Sequence, residues 1–179
     1  MPRTIIALLR AVNVGSRRVT MERLRAVCTD AGLDDVRTHL ASGNVLFTTA
    51  KRSLPKLERD LAATLEAGLG FDVDVFLRTA AELQEVVAAV PFPPQELEAA
   101  HACYVGFLGE PLTAAERAQV LGFATDDDAF ALREREVYWL RRRRESETEF
   151  SYAGLERALK RCATFRNLKT VEALATKSA

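Results

Sequence analysis

Ile5-Ile6-Ala7-Leu8-Leu9, closed by Arg10, and Val45-Leu46-Phe47 are the stretches on which the fold turns. Neither alternates with polar residues, so each reads as a strand covered on both faces. Two other stretches do alternate. Val36, Thr38 and Leu40 are interleaved with Arg37 and His39, and Val73, Val75 and Leu77 with Asp72, Asp74 and Phe76. These read as strands exposed on one face. Helical spacing fills the intervals. Thr20 caps a helix whose Met21, Leu24, Val27, Cys28 and Ala31 share one face before Gly32 stops it. Leu54, Leu57, Leu61 and Leu65 mark a second helix ending near Gly68 and Gly70, and Leu83, Val86, Val87 and Val90 a third. The order strand, helix, strand, strand, helix, strand is the ferredoxin-like βαββαβ order, whose antiparallel sheet runs fourth, first, third, second. The two wholly apolar strands then occupy the centre and the alternating ones the edges. The expectation is an α+β chain with such a domain over residues 1–90.

Pro91-Phe92-Pro93-Pro94 reads as a linker. Beyond it a smaller α+β domain is expected over 98–162. It starts with a strand from Ala102 to Leu108 and a short helix capped by Thr113. A hairpin of Phe130–Leu132 with Val137–Leu140 follows, then a helix with Leu155, Ala158, Leu159 and Cys162 on one side. Such a unit is small to stand alone. Residues 163–179, with a last helix holding Leu168, Val171 and Leu174, are expected as a tail packing back on the first domain.

Composition narrows the function classes. The chain has 179 residues, 48% of them hydrophobic, with 25 basic and 25 acidic side chains and a formal net charge of zero. A binder of polyanions along its whole length would be more basic, so any nucleic-acid role must rest on a local patch. The apolar run at Ile5–Leu9 is too short for a signal-peptide core or a membrane span, and no targeting signal is expected. Cys28, Cys103 and Cys162 form no CxxC pair, and His39 and His101 are far apart, so neither a zinc site nor a disulfide framework is expected. These features read as a reduced, cytoplasmic protein. No G-x-G-x-x-G or P-loop is present, so no cofactor is expected.

Three short stretches stand out: Arg10-Ala11-Val12-Asn13-Val14-Gly15, Ser42-Gly43-Asn44-Val45, and Thr164-Phe165-Arg166-Asn167-Leu168-Lys169-Thr170-Val171. Together, in this order and spacing, they resemble the motifs R-G-I-N-V-G, S-G-N-V and T-x-R-N-W-x-T-V of the bacterial family known as domain of unknown function 1697. The resemblance runs over nearly the whole chain. Ala11 stands where the family has glycine, and Leu168 where it has tryptophan. The family implies no activity.

In the expected sheet the first and second strands run the same way. The end of the first and the turn after the second then share an edge, where the first helix also begins with free N–H groups and a positive dipole end. Arg10, Asn13, Gly15, Ser42, Gly43 and Asn44 would gather there, joined by Thr164, Arg166 and Asn167 if the tail folds back. Such an edge suits a small anionic ligand, a nucleotide or a phosphorylated metabolite. The same residues are also ordinary turn and capping chemistry. One alternative is an enzyme at that edge, with catalytic residues unassigned. Its nearest titratable candidate is His39, which has no evident nucleophile or orienting carboxylate. Another is a nucleic-acid or protein adaptor using Arg141-Arg142-Arg143-Arg144, although Glu145, Glu147 and Glu149 follow and offer those arginines partners. Cys162 reads as a core cysteine, and Asp126-Asp127-Asp128 as a solvated turn rather than a metal loop.

Overall fold

A computed structural model of the protein describes residues 1–144 and 148–178. It falls into two compact units: Met1–Gln84 with the residues from Leu174 onward, and Glu85–Ala173.

In the first unit the chain runs β1 (Arg3–Arg10), α1 (Met21–Asp30), β2 (Asp34–His39), β3 (Asn44–Thr49), α2 (Leu54–Leu69), β4 (Asp74–Thr79) and α3 (Ala80–Ala88), whose last residues belong to the second unit. The sheet order is β2-β3-β1-β4, with every pairing antiparallel. This is the fourth-first-third-second order expected from the hydrophobic patterning. Ile5, Ala7 and Leu9 of β1 join Val45 and Phe47 of β3 in a core with Leu24, Val27 and Cys28 of α1 and Leu57, Leu61 and Leu65 of α2. Ile6 and Leu8 project to the other face and are fully buried as well. That double burial is why β1 shows no alternation. Truncating Leu65 to Ala in this packed core would cost about 2–5 kcal/mol.

The second unit contains α4 (Pro94–Ala99), β5 (Ala102–Phe107), α5 (Ala114–Leu121), β6 (Asp128–Leu132), β7 (Glu136–Arg141), α6 (Tyr152–Leu159), β8 (Thr164–Asn167) and the start of α7 (Leu168–Ser178). Its antiparallel sheet runs β6-β7-β5-β8. The hairpin read from the sequence is β6–β7. Two elements escaped that reading. The proline-rich stretch passes into α4, because Pro94 suits the first helical turn, where its missing N–H costs nothing. Thr164–Asn167, expected within the tail, is a strand paired to β5 through Tyr104–Phe107. Four residues between two helices are too few for a period to show. Trp139 anchors the core of this sheet. Phe130 stacks on its ring, Phe150 lies tilted 4.6 Å away, and its indole Nε1 donates to Asp128 Oδ1 at 2.7 Å.

Candidate functional site

The first two motifs meet as the topology requires. Leu9 N donates to Gly43 O at 2.8 Å, which carries the β1 backbone onto the β2–β3 turn. Asn13 then fastens loop to turn. Its Nδ2 donates to Ala41 O at 2.8 Å and to Val19 O at 3.1 Å, while its Oδ1 accepts from Val19 N at 2.8 Å. Asn44, fully buried, donates to His39 O at 2.8 Å and lies 3.0 Å from Ser42 Oγ. Arg10 pairs with Asp74 at 3.1 Å with both side chains partly exposed, a contact worth under about 1 kcal/mol. These side chains, expected to be ligand donors, therefore brace the edge.

The backbone between them is unusual. Ala11, Asn13 and Gly15 have φ of 62°, 57° and 60°, while Val12 and Val14 do not have positive φ. Alternating sign of φ is one requirement of a nest, a concavity of main-chain N–H groups that attracts anions. The N–H groups of residues 12–16 donate to no protein acceptor among the described residues. Arg17 is turned away, onto Asp72 at 3.0 Å and over the Phe71 ring. Arg18 is exposed and makes no ion pair among the described residues. Thr20 caps α1 by accepting from Arg23 N at 3.1 Å. His39 lies 2.8 Å from Lys177 Nζ. Burial first, and the Lys177 charge second, hold its imidazole below its usual pKa.

The third motif is built into the second unit. Arg166 is 7% exposed and donates to Thr164 Oγ1 at 2.8 Å and Phe165 O at 2.9 Å. Burial lowers its pKa to about 10. Asn167 Oδ1 accepts from Lys169 N at 3.0 Å, at the start of α7.

Other candidates change character. Arg141 is buried, its guanidinium over the Tyr104 and Trp139 rings. Arg142 pairs with Glu96 at 3.2 Å and Arg143 with Asp127 at 2.9 Å. Much of the run's charge is thus met within the unit; pairing with Glu145 or Glu147 lies outside the described residues. Asp128 is not in a solvated turn. It is buried, bonded to the Trp139 indole and the Thr148 hydroxyl. Cys162, expected in the core, is exposed. Burial pushes the Cys28 thiol to about 11 and the Cys103 thiol to about 12, which makes both poor nucleophiles. Among the described residues no cluster of His, Cys, Asp and Glu could hold a metal ion, and no helix is long and apolar enough to cross a membrane.

Fold and motifs thus define an α+β chain with two four-stranded antiparallel sheets, the first bearing a strained loop braced on a glycine turn. The chain belongs to a family described as a protein of unknown function, DUF1697, whose model matches residues 2–138. Its structure is similar to that of a conserved bacterial protein from Streptococcus pneumoniae, with a TM-score of 0.77, 22% identity and 100% of each chain covered. At that identity the likeness is one of fold. No curated protein matches the chain.

Proposed function

We propose that the first unit is a cytoplasmic bacterial binding module of ferredoxin-like type for a small anionic ligand, a nucleotide or a phosphorylated metabolite. The observation that carries this reading is the alternating backbone of residues 11–15, with positive φ at Ala11, Asn13 and Gly15. At the non-glycine residues Ala11 and Asn13 such backbone costs about 1–3 kcal/mol per residue and persists where the surroundings enforce it, often at functional sites. Here the enforcement is visible in the Asn13 bonds to Ala41 and Val19 and in the seat of Gly43 on Leu9. In this reading the main-chain N–H groups take the anion, and the exposed Arg18 guanidinium adds attraction. Arg10, Asn13, Ser42, Gly43 and Asn44 hold the loop in shape. Thr164, Arg166 and Asn167 belong to the second unit, and this reading is argued from the residues of the first unit alone. An enzyme at the same edge gains no support, because the nearest charged neighbour of His39 is Lys177 rather than a carboxylate.

Thermal shift against inorganic phosphate and AMP tests the reading. Binding raises the melting temperature by mass action. Gly15→Pro cannot adopt positive φ and removes an N–H, so it should abolish the shift, and Arg18→Ala should weaken it. No shift with either probe, or a shift that survives Gly15→Pro, rejects the proposal.

A further inference from the structure

The second unit carries an open cleft of about 390 Å³ that no sequence motif marks, at the junction of α4, the start of β5, the end of β8 and the first turns of α7. Its size falls within the range of about 300–1,000 Å³ typical of small-molecule sites. Cys103 and Leu168 are buried in its wall. The Cys103 thiol, held near 12 chiefly by burial, serves as apolar wall rather than as a nucleophile. Glu98, His101, Lys169 and Glu172 are exposed along it.

The charges decide what such a cleft accepts. Glu98 on α4 and Lys169 on α7 make no ion pair among the described residues, yet both line the same space. Asn167 spends its Oδ1 on Lys169 N, so its Nδ2 is the part able to donate to a ligand. Glu172 follows Lys169 by three residues, on the same helix face. Carboxylates outnumber the ammonium, which disfavours a polyphosphate. One cation and two hydrogen-bond donors, the Asn167 amide and the His101 ring N–H, remain for a single acidic group.

We propose that this cleft binds a small zwitterion of amino-acid to dipeptide size, its ammonium held by Glu98, its carboxylate by Lys169 and the Asn167 amide, and its apolar body against Cys103 and Leu168. The lining residues belong to the second unit and include none of the loop of residues 11–16, so the proposal stands or falls apart from that loop.

Calorimetric titration of the full chain with leucine and glycyl-leucine tests the proposal, with N-acetyl-leucine and leucine methyl ester as controls lacking one charge each. At least one zwitterion should bind, and each control at least about tenfold more weakly, the loss of one charge-assisted contact. Glu98→Gln and Lys169→Met should each weaken binding by a similar factor. Both positions are exposed, so the ligand-free melting temperature should hold. The His101 ring resonances should move during titration. Absence of binding by both zwitterions up to about 10 mM overturns the assignment. So does equal binding by the blocked controls, or affinity unchanged in both variants.

Discussion

Gly43 sits against Leu9 so closely that a Cβ at residue 43 would lie 3.0 Å from the Leu9 Cβ and 3.2 Å from that of Val12. Its φ of 78° also lies where a side chain is strained. Gly43→Ala therefore meets two penalties, conformational and steric, and should destabilise the protein by about 1–3 kcal/mol. Chemical denaturation would read this as a lower midpoint at unchanged slope. A loss below about 0.5 kcal/mol would show that turn and strand part easily, and that the motif does not hold the edge.

Ala11 offers the opposite experiment. It adopts φ of 62° at the position where the family motif has glycine. The left-handed conformation costs an L-residue about 1–2 kcal/mol, while glycine brings extra unfolded-state entropy worth about 0.4–1 kcal/mol. Ala11→Gly should thus be neutral to stabilising, by up to about 1 kcal/mol. Asn13→Ala, which removes the hydrogen bonds to Ala41 and Val19, should cost about 1–3 kcal/mol. In urea melts the Asn13→Ala midpoint should fall, while that of Ala11→Gly should hold or rise. A clear destabilisation by Ala11→Gly would mean that the methyl group packs favourably enough to outweigh the strain.

The sequence announced the first sheet because β1 and β3 are buried on both faces, which leaves an unbroken apolar run. β4, expected to be exposed on one face, is buried on both, because Phe76 and Arg78 are covered as well as Val75 and Leu77. Leu40, expected in the second strand, lies beyond β2 and is exposed. It announced the meeting of Arg10–Gly15 with Ser42–Asn44 because strand direction follows from element order. It did not disclose how the side chains there are spent. Asn13 reads as a donor for a ligand or for a neighbouring turn, and only the position of Ala41 O decides. Arg166 reads as a cation, but burial in β8 depends on a pairing with β5 across some sixty residues of chain, which no local pattern encodes. Asp128 reads as solvated because its partners, Trp139 and Thr148, lie on other segments. The cleft in the second unit depends on where four elements converge, so no motif could mark it.

Two N–H groups of β4, those of Leu77 and Thr79, are met by carboxylates, and this can be tested. β4 is terminal in its sheet. Leu77 N donates to Glu58 Oε1 at 2.7 Å and Thr79 N to Glu82 Oε2 at 2.7 Å. An edge strand with unmet N–H groups invites pairing with another chain. Glu58→Ala should cost about 1–3 kcal/mol through the orphaned Leu77 N–H and should promote concentration-dependent self-association. Glu58→Gln, which keeps an acceptor oxygen, should recover much of the loss. Sedimentation velocity of both variants supplies the readout. A Glu58→Ala protein with the parent's sedimentation behaviour and stability would mean the edge needs no such cover.

The contact between His39 and Lys177 makes part of the stability depend on pH. The imidazole is held below its ordinary value of 6.5, first by burial and then by the Lys177 charge. The unfolded chain therefore takes up a proton at higher pH than the folded one. This contribution is fully present above 6.5 and is lost as pH falls from there toward the folded-state value. Melting temperatures should drop between about pH 7.5 and about pH 5.5, and His39→Gln should reduce that drop. Lys177→Met should raise the His39 pKa without restoring it fully, because burial, the larger cause, remains. The chain has two histidines, so His101→Gln assigns the His39 resonances and permits direct NMR titration. A His39 pKa at or above 6.5 in the intact protein would mean that neither burial nor the Lys177 charge acts on the ring in solution.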